Sequence, residues 1–494
     1  MLNSIEISFY FIINIINMED TVNQPAHSRI VKLFQKTDRP FRVEWLFLLL
    51  IALFFVISYS YGDIIITTRH SIRLWDCLFD GHFFDFYHYN VNAATENSVF
   101  TTPQSAAYDF TIYLIFAIWN FPLWVVEKLF QIPVTENFFC LIWPKLLLVL
   151  SAFFAAKSLK RIVTVLDLGE KAANWVPFIW CSSVLVCSSM LMISQYDIIS
   201  LLFILLGFEA YLKADTKKFI LFFALATSCK YFALLIFLPL VLLRWKKIWQ
   251  IIALTVSSFA LTLFWKALFL LASQSIVEPS IVGSLLNTIS TNTLDVGLYS
   301  AALFFIAFIA TCIFAYSRND EPELQKLNAL YVSTASMIGF IALTQIYPYW
   351  CILATPFLVL ICFANRERLK LNLFLEMGLG LSIVFQQMFY YSFCYSNYLL
   401  APMLWGKLLG SNVDLTEGIG TVFYHINLSI PLMNGLSALM ICGAAALMIF
   451  NTPNKLLRSQ QCDCTIERSV IWFRIFLFAL VGLLPIASYI HQLL

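Results

Sequence analysis

Charge is scarce in this sequence. Only 12% of its 494 residues are Asp, Glu, Lys or Arg, about half the quarter usual for a soluble globular chain, which excludes an ordinary water-facing surface. The familiar chemical signatures are missing as well. There is no GxGxxG or P-loop glycine pattern, no HExxH and no GxSxG, so nucleotide cradles, zinc-protease helices and nucleophile turns have no support. No central HxxxD or histidine pair suggests an acyltransferase. Low-complexity linkers, a clear internal repeat and a separate soluble domain are likewise absent from the sequence. The net charge of +2 carries no signal for nucleic acid, and none is expected as a partner.

What the chain has in abundance is apolar residues, 60% of the total, at a mean hydropathy of +0.80. They fall in runs of about 17–25, the length that crosses about 30 Å of hydrocarbon as a helix. Backbone polar groups in lipid must be satisfied within the segment, so these runs are expected to be helical. The fold expected is all-α: a polytopic membrane protein of about 11–13 spans with juxtamembrane helices in its first outer loop. Most of the twelve cysteines lie inside these runs, where they act as small hydrophobes. Cys462-Asp463-Cys464 lacks further ligands at metal spacing.

Lys and Arg in short loops set the orientation. The basic segments Arg29–Arg42, Lys157–Lys171, Lys213–Lys218, Arg244–Lys247, Arg318–Lys326, Arg366–Lys370 and Lys455–Arg468 are expected in the cytoplasm. The spans between them are expected near 43–61, 138–156, 175–193, 197–213, 219–229, 231–243, 248–272, 299–316, 329–346, 349–364, 371–392, 432–450 and 470–490. This leaves the N-terminus inside, the C-terminus outside, and three elaborate outer segments, 62–137, 273–298 and 393–431. Residues 1–42 read as a cytoplasmic lead, with Met18 an alternative start; the first twenty residues make a poor signal peptide. Two stretches are ambiguous. Pro122 interrupts 109–130, which is expected to bend and stay on the outer side. Residues 219–243 carry basic clusters at both ends, which two short helices meeting at "SCKYF" would keep on one side.

Polar residues gather in "YGDIIITTRHSIRLWDCLFDGHFFDFYHYN", Tyr61 to Asn90, just past the first run. Apolar Ile65, Ile72, Trp75, Leu78 and Phe79 form an approximate helical stripe, suiting an interfacial helix that Gly81 would end. Asp63 at its start is either a cap, a partner of Arg69 or Arg73, or a carboxylate kept for use at membrane depth. Asp76, Asp80 and Asp85 read more simply as solvated or paired. In "SQYD", Gln195 and Asp197 open a span, where Asp197 also suits a helix N-terminus. Lys230 stands alone in its apolar stretch, either snorkelling or binding a lipid-linked phosphate. "QIYPYW", with Tyr347 and Trp350, is a tight outer turn whose aromatics are belt residues, sugar-stacking platforms or a prenyl grip.

The order of these pieces resembles the GT-C superfamily of integral membrane glycosyltransferases, and most closely bacterial members similar to mannosyltransferases that use polyprenyl-phosphate sugars. Asp63 matches the family's first-loop acidic residue, Ile64 to Gly81 its juxtamembrane helix, Gln195 to Asp197 its "QYD/QFD" segment, and Lys230 the lysine after a short helix pair. The likeness covers roughly residues 43–250, and beyond it only "YPYW" is familiar. It implies a catalytic transmembrane module at 43–272 and a variable C-terminal module at 273–494. Ile64 follows Asp63 where many relatives carry a second acid, which argues against a divalent metal, since such ions want several oxygen ligands; no cofactor is expected.

The resemblance implies inverting transfer of a sugar from polyprenyl phosphate to a glycan, lipid or protein acceptor outside the cell membrane. Asp63 would be the base; Lys230, with Arg69 or Arg73, would hold the phosphate. Gln195, Tyr196 and Asp197 would bind the sugar, with Asp85, Tyr87, Tyr347 and Trp350 also lining the site. The rival reading is a transporter or flippase of lipid-linked saccharides, against which the sparse charges at depth, mainly Glu209, Lys266 and Glu376, count.

Overall fold

The computed structural model describes residues 35–92, 102–134, 137–273, 286–296, 299–391, 394–396, 404–405, 408, 418–425, 427–459, 462 and 464–493. Most of the expected lead 1–42, including Met18, and much of the outer segments 273–298 and 393–431 lie outside these residues. The protein is a polytopic α-helical membrane protein. Six described helices are long and apolar enough to cross a membrane: Phe110–Phe130, Phe138–Val165, Pro322–Leu343, Leu369–Tyr390, Ser429–Phe450 and Arg468–Gln492. Two bent pairs, Gly169–Cys181 with Val184–Met192 and Ile248–Ser258 with Ala260–Ser273, raise this to eight.

This is fewer than the 11–13 expected, because several of the apolar runs form shorter helices. Arg42–Ser58 has 17 residues, Asp197–Leu212 has 16 and Thr216–Cys229 has 14. At 1.5 Å per residue, 16 residues reach only about 24 Å. Asp197–Leu212 and Thr355–Ala364 are buried almost throughout, so protein rather than lipid surrounds them.

The first helix, Arg42–Ser58, is tied at both ends. Glu44 takes the Phe41 amide at 2.7 Å and the Arg468 guanidinium at 3.1 Å. At the other end Lys145 donates to the carbonyls of Val56, at 3.0 Å, and Tyr59. These carbonyls lie past the reach of the helix's own donors. Phe55 packs on Phe478 of the last helix, where a side chain on Gly482 would overlap the Phe55 ring. The chain's first and last described helices are therefore joined.

The next helix, Gly62–Phe79, ends where Gly81 takes a left-handed φ of 78°. It is more enclosed than an interfacial helix with one bare face, because Phe110–Phe130 packs against it. Trp75 donates to the Ala117 carbonyl at 2.7 Å, Asn120 to Ser71 at 2.9 Å, and Trp124 to Asp76 at 2.8 Å. Phe110–Phe130 is assigned as one helix through Pro122. One lost N–H bond is offset by this flanking ladder.

At "SCKYF" the helix Thr216–Cys229 stops and Leu234–Arg244 follows a short 3-10 turn. The two double back: the Phe219 ring stacks on Phe237 at 4.9 Å and lies 5.9 Å from Trp245. Both basic ends thus share one end of the hairpin, with Lys230 at its tip.

Candidate functional site

Three breaks in helical structure converge on Lys230. The first is the junction before Gly62–Phe79, which places Asp63 one residue into that helix. The second is "SQYD". A π-helical turn over Cys187–Met192 and a left-handed Ser194 at φ 54° turn the chain so that Asp197 opens a buried helix. Such a conformation costs a non-glycine residue about 1–2 kcal/mol and often marks functional sites. The third is the extended backbone of Lys230 itself.

The Lys230 ammonium lies 3.0 Å from Asp197, whose side chain is fully buried, while Lys230 keeps 12% exposure. Gln195 bridges the pieces. Its Nε2 donates to Asp63 and its Oε1 accepts the Tyr196 amide at 3.0 Å. Four rings surround the ammonium: Tyr196 at 5.3 Å, Tyr108 at 5.5 Å, Tyr349 at 5.6 Å and Trp350 at 5.7 Å. These are cation–π distances. Trp350 is backed by Phe232 at 4.6 Å, and Tyr347 by Tyr391 at 4.7 Å and Tyr349 at 5.5 Å. Burial lifts the Asp63 carboxyl to about 6; Asp197 adds to the rise, while Lys230 and Gln195 oppose it. One cation thus serves two carboxylates. The polar ends of a sugar and an anion fit such a box, since carboxylates accept from hydroxyls and ring faces stack on a pyranose.

The structure therefore brings Asp63, Gln195, Tyr196, Asp197, Lys230, Tyr347 and Trp350 together. It does not bring the remaining candidates to the ammonium. Arg69 is paired with Glu127 at 2.9 Å. Arg73 lies 4.0 Å from the centre of the Tyr89 ring and 4.0 Å from Asp76. Asp85 stands half-exposed between His82 and His88. The Tyr87 hydroxyl donates at 3.0 Å to the carbonyl of Tyr108. Among the described residues no three His, Cys, Asp or Glu side chains converge as metal ligands. Tyr349 and Trp350 reach the ammonium from beyond residue 272.

Sequence reasoning passed over Tyr108, Tyr349 and Lys145. Lys145 carries the same signal that picked out Lys230: a lone cation in an apolar run, here beside Pro144. The two tyrosines gave none, since aromatics are common throughout the chain.

No family model matches the chain, and no curated protein matches it. Among solved structures, the crystal structure of ArnT from Cupriavidus metallidurans bound to undecaprenyl phosphate overlays it with a TM-score of 0.44 at 12% identity, over 94% of this chain and 78% of that one.

Proposed function

We propose that this protein is a membrane glycosyltransferase that moves a sugar from a polyprenyl-phosphate donor to an acceptor hydroxyl on the outer face of the membrane. The observation that carries the reading is the meeting of Asp63, Gln195, Asp197 and Lys230 inside an aromatic box. In this reading the acceptor oxygen bonds to the anomeric carbon as the bond from that carbon to the phosphate oxygen breaks, with inversion. The acceptor proton passes to the Asp63 carboxylate. The electron pair leaves with the phosphate, which Lys230 holds. The oxocarbenium character of the transition state lies between these charges.

In this reading two neighbours take supporting roles. Gln195 orients Asp63, and Asp197 fixes the ammonium of Lys230 rather than capping its helix: neither carboxylate oxygen takes a backbone N–H. Tyr347, Tyr349 and Trp350 offer faces for the sugar. We propose a metal-independent reaction. The basic hairpin ends at Lys217, Lys218 and Arg244 support, through the positive-inside rule, a reading in which the opposite end of the bundle faces the cytoplasm.

The test is transfer of radiolabelled sugar from polyprenyl phosphate in membranes carrying Asp63→Asn or Asp63→Ala. Loss of transfer with normal folding is expected. Full retained transfer removes Asp63 from the reaction. Movement of the intact lipid-linked sugar across the bilayer without transfer would favour a flippase instead.

A further inference from the structure

Resting on that reading, we propose that Lys266, with Asp109 and Tyr231, forms an entry station at the lipid-facing edge of the site, where the phosphate of the lipid carrier is recognised before it reaches Lys230.

The sequence puts Lys266 in an apolar helix, Ala260–Ser273. Thr262 and Phe269 are buried on one side of it. Leu263, Phe264, Leu270 and Leu271 are exposed on the other, Leu271 to 86%. At 100° per residue, Lys266 falls on the seam between these faces. Phe269 packs on Phe110 at 4.8 Å and on Tyr87 at 5.0 Å, which fixes the helix against the first outer loop. The buried face is thus protein-facing, and the exposed apolar face is one that hydrocarbon would cover.

At that seam the chemistry is unusual. Asp109 occupies the position just before Phe110–Phe130, where an aspartate ordinarily caps the free N–H groups. It makes no capping bond here. Its carboxylate lies near Tyr231 and faces Lys266 at 3.7 Å, and it is 8% exposed against 34% for the lysine. The Lys266 ammonium also lies 5.4 Å from the centre of the Tyr231 ring. A pair this loose leaves lysine donors free for a third group.

The station adjoins the main site through the chain itself. Asp109 follows Tyr108, and Tyr231 follows Lys230; consecutive Cα atoms are about 3.8 Å apart. The Tyr108 ring flanks the Lys230 ammonium while its neighbour Asp109 holds Lys266. A phosphate arriving along the bilayer would therefore meet an exposed cation first and a caged cation second. The arginines expected to assist Lys230 are engaged elsewhere, Arg69 by Glu127 and Arg73 by Tyr89, and among the described residues Lys266 is a cation available at this edge.

The test measures binding of a short polyprenyl phosphate to the full chain in nanodiscs, by quenching of intrinsic tryptophan fluorescence. Lys266→Gln should weaken binding by about tenfold, the scale of one lost charged contact, and Lys266→Arg should restore it. In transfer assays Lys266→Gln should raise KM for the donor with kcat kept. Asp109→Asn combined with Lys266→Gln separates recognition from mere charge balance: binding must stay weak if Lys266 touches the phosphate. Return of this double variant to wild-type affinity, or unchanged affinity in Lys266→Gln, overturns the proposal. The uncharged polyprenol should be indifferent to position 266. Inorganic phosphate competing as well as the lipid would overturn the lipid assignment. The transferase reading fails separately: Asp63→Asn should bind like wild type, and if it still transfers sugar that reading falls while the entry station stands. Failure of the wild-type chain to bind any polyprenyl phosphate overturns both.

Discussion

Arg474 and Glu376 meet at 2% exposure each, and their hydrogen-bonding capacity is well used. The two arms of the guanidinium take the two carboxylate oxygens, Ser183 donates to the same carboxylate at 2.9 Å, and Arg474 also reaches the Ile179 carbonyl at 2.7 Å and Ser182 at 2.9 Å. Lys230 and Asp197 are buried too, but built on another plan. One ammonium faces two carboxylates, its walls are ring faces rather than donors, and both Asp63 and Lys230 keep some exposure. The first arrangement closes the gap between Gly169–Cys181 and Val184–Met192 against two neighbouring helices. The second leaves valence unspent. A buried charge whose partners are complete holds a fold together, whereas one left incomplete is poised to accept something the chain does not contain.

The sharpest way to break this contrast is to exchange the consequences. Asp63→Asn should lower sugar transfer by about 10²–10⁴-fold, the range for losing a general base, while thermal unfolding in detergent shows no loss of stability. If Asp63→Asn unfolds the protein instead, the two regions are alike and both are structural. Arg474→Met should do the reverse. Removing one partner of a buried pair costs about 3–5 kcal/mol, read as a lower unfolding temperature and reduced yield, with the surviving folded fraction still binding polyprenyl phosphate. A stable Arg474→Met protein without activity would move Arg474 into the site's chemistry.

Lys145 sharpens the comparison from between the two cases. Its partners are the Val56 and Tyr59 carbonyls, so it is a cation completed by backbone, set just ahead of Asp63. Lys145→Met leaves buried carbonyls unpaired, at about 1–3 kcal/mol. The expected result is a modest fall in unfolding temperature together with a fall in kcat and little change in KM, since Asp63 is displaced while the phosphate contacts remain.

How much of this was legible beforehand follows from what each signal depends on. The helices could be read because lipid imposes length and apolarity on every spanning run, and the hairpin at Lys230 because basic clusters flank it on both sides. Asp63, Gln195, Asp197 and Lys230 stood out because a polar group in an apolar setting is costly and therefore conspicuous. Their mutual contacts were not readable, since Asp63 and Gln195 are 132 positions apart. That the helix continues through Pro122 could not be read, because local backbone logic does not include the flanking bonds from Trp75 and Asn120. Arg69 and Arg73 read as site cations in the sequence because Glu127 and Tyr89 become their partners only in three dimensions.

The smallest effect tests the unequal charge count directly. With its carboxyl raised to about 6, Asp63 should be protonated and inactive below that pH, so transfer should climb as pH rises through about 6 and then level. Stability should move the opposite way. A raised folded-state value means that the native protein binds the proton more tightly than the unfolded chain between the ordinary aspartate range and about 6, so stability falls as pH rises through that window. Asp63→Asn should abolish that fall and leave a protein more stable at neutral pH than the wild type, as expected where a group is kept for function against the fold's interest. The neighbours set the direction of finer shifts. Lys230→Gln removes an influence that lowers the Asp63 value, so the rising limb of its residual activity should move to higher pH. Asp197→Asn removes one that raises it, so the limb should move to lower pH. Limbs that stay fixed in both variants would mean that the titrating base is some other group, and that the two carboxylates do not share the one ammonium.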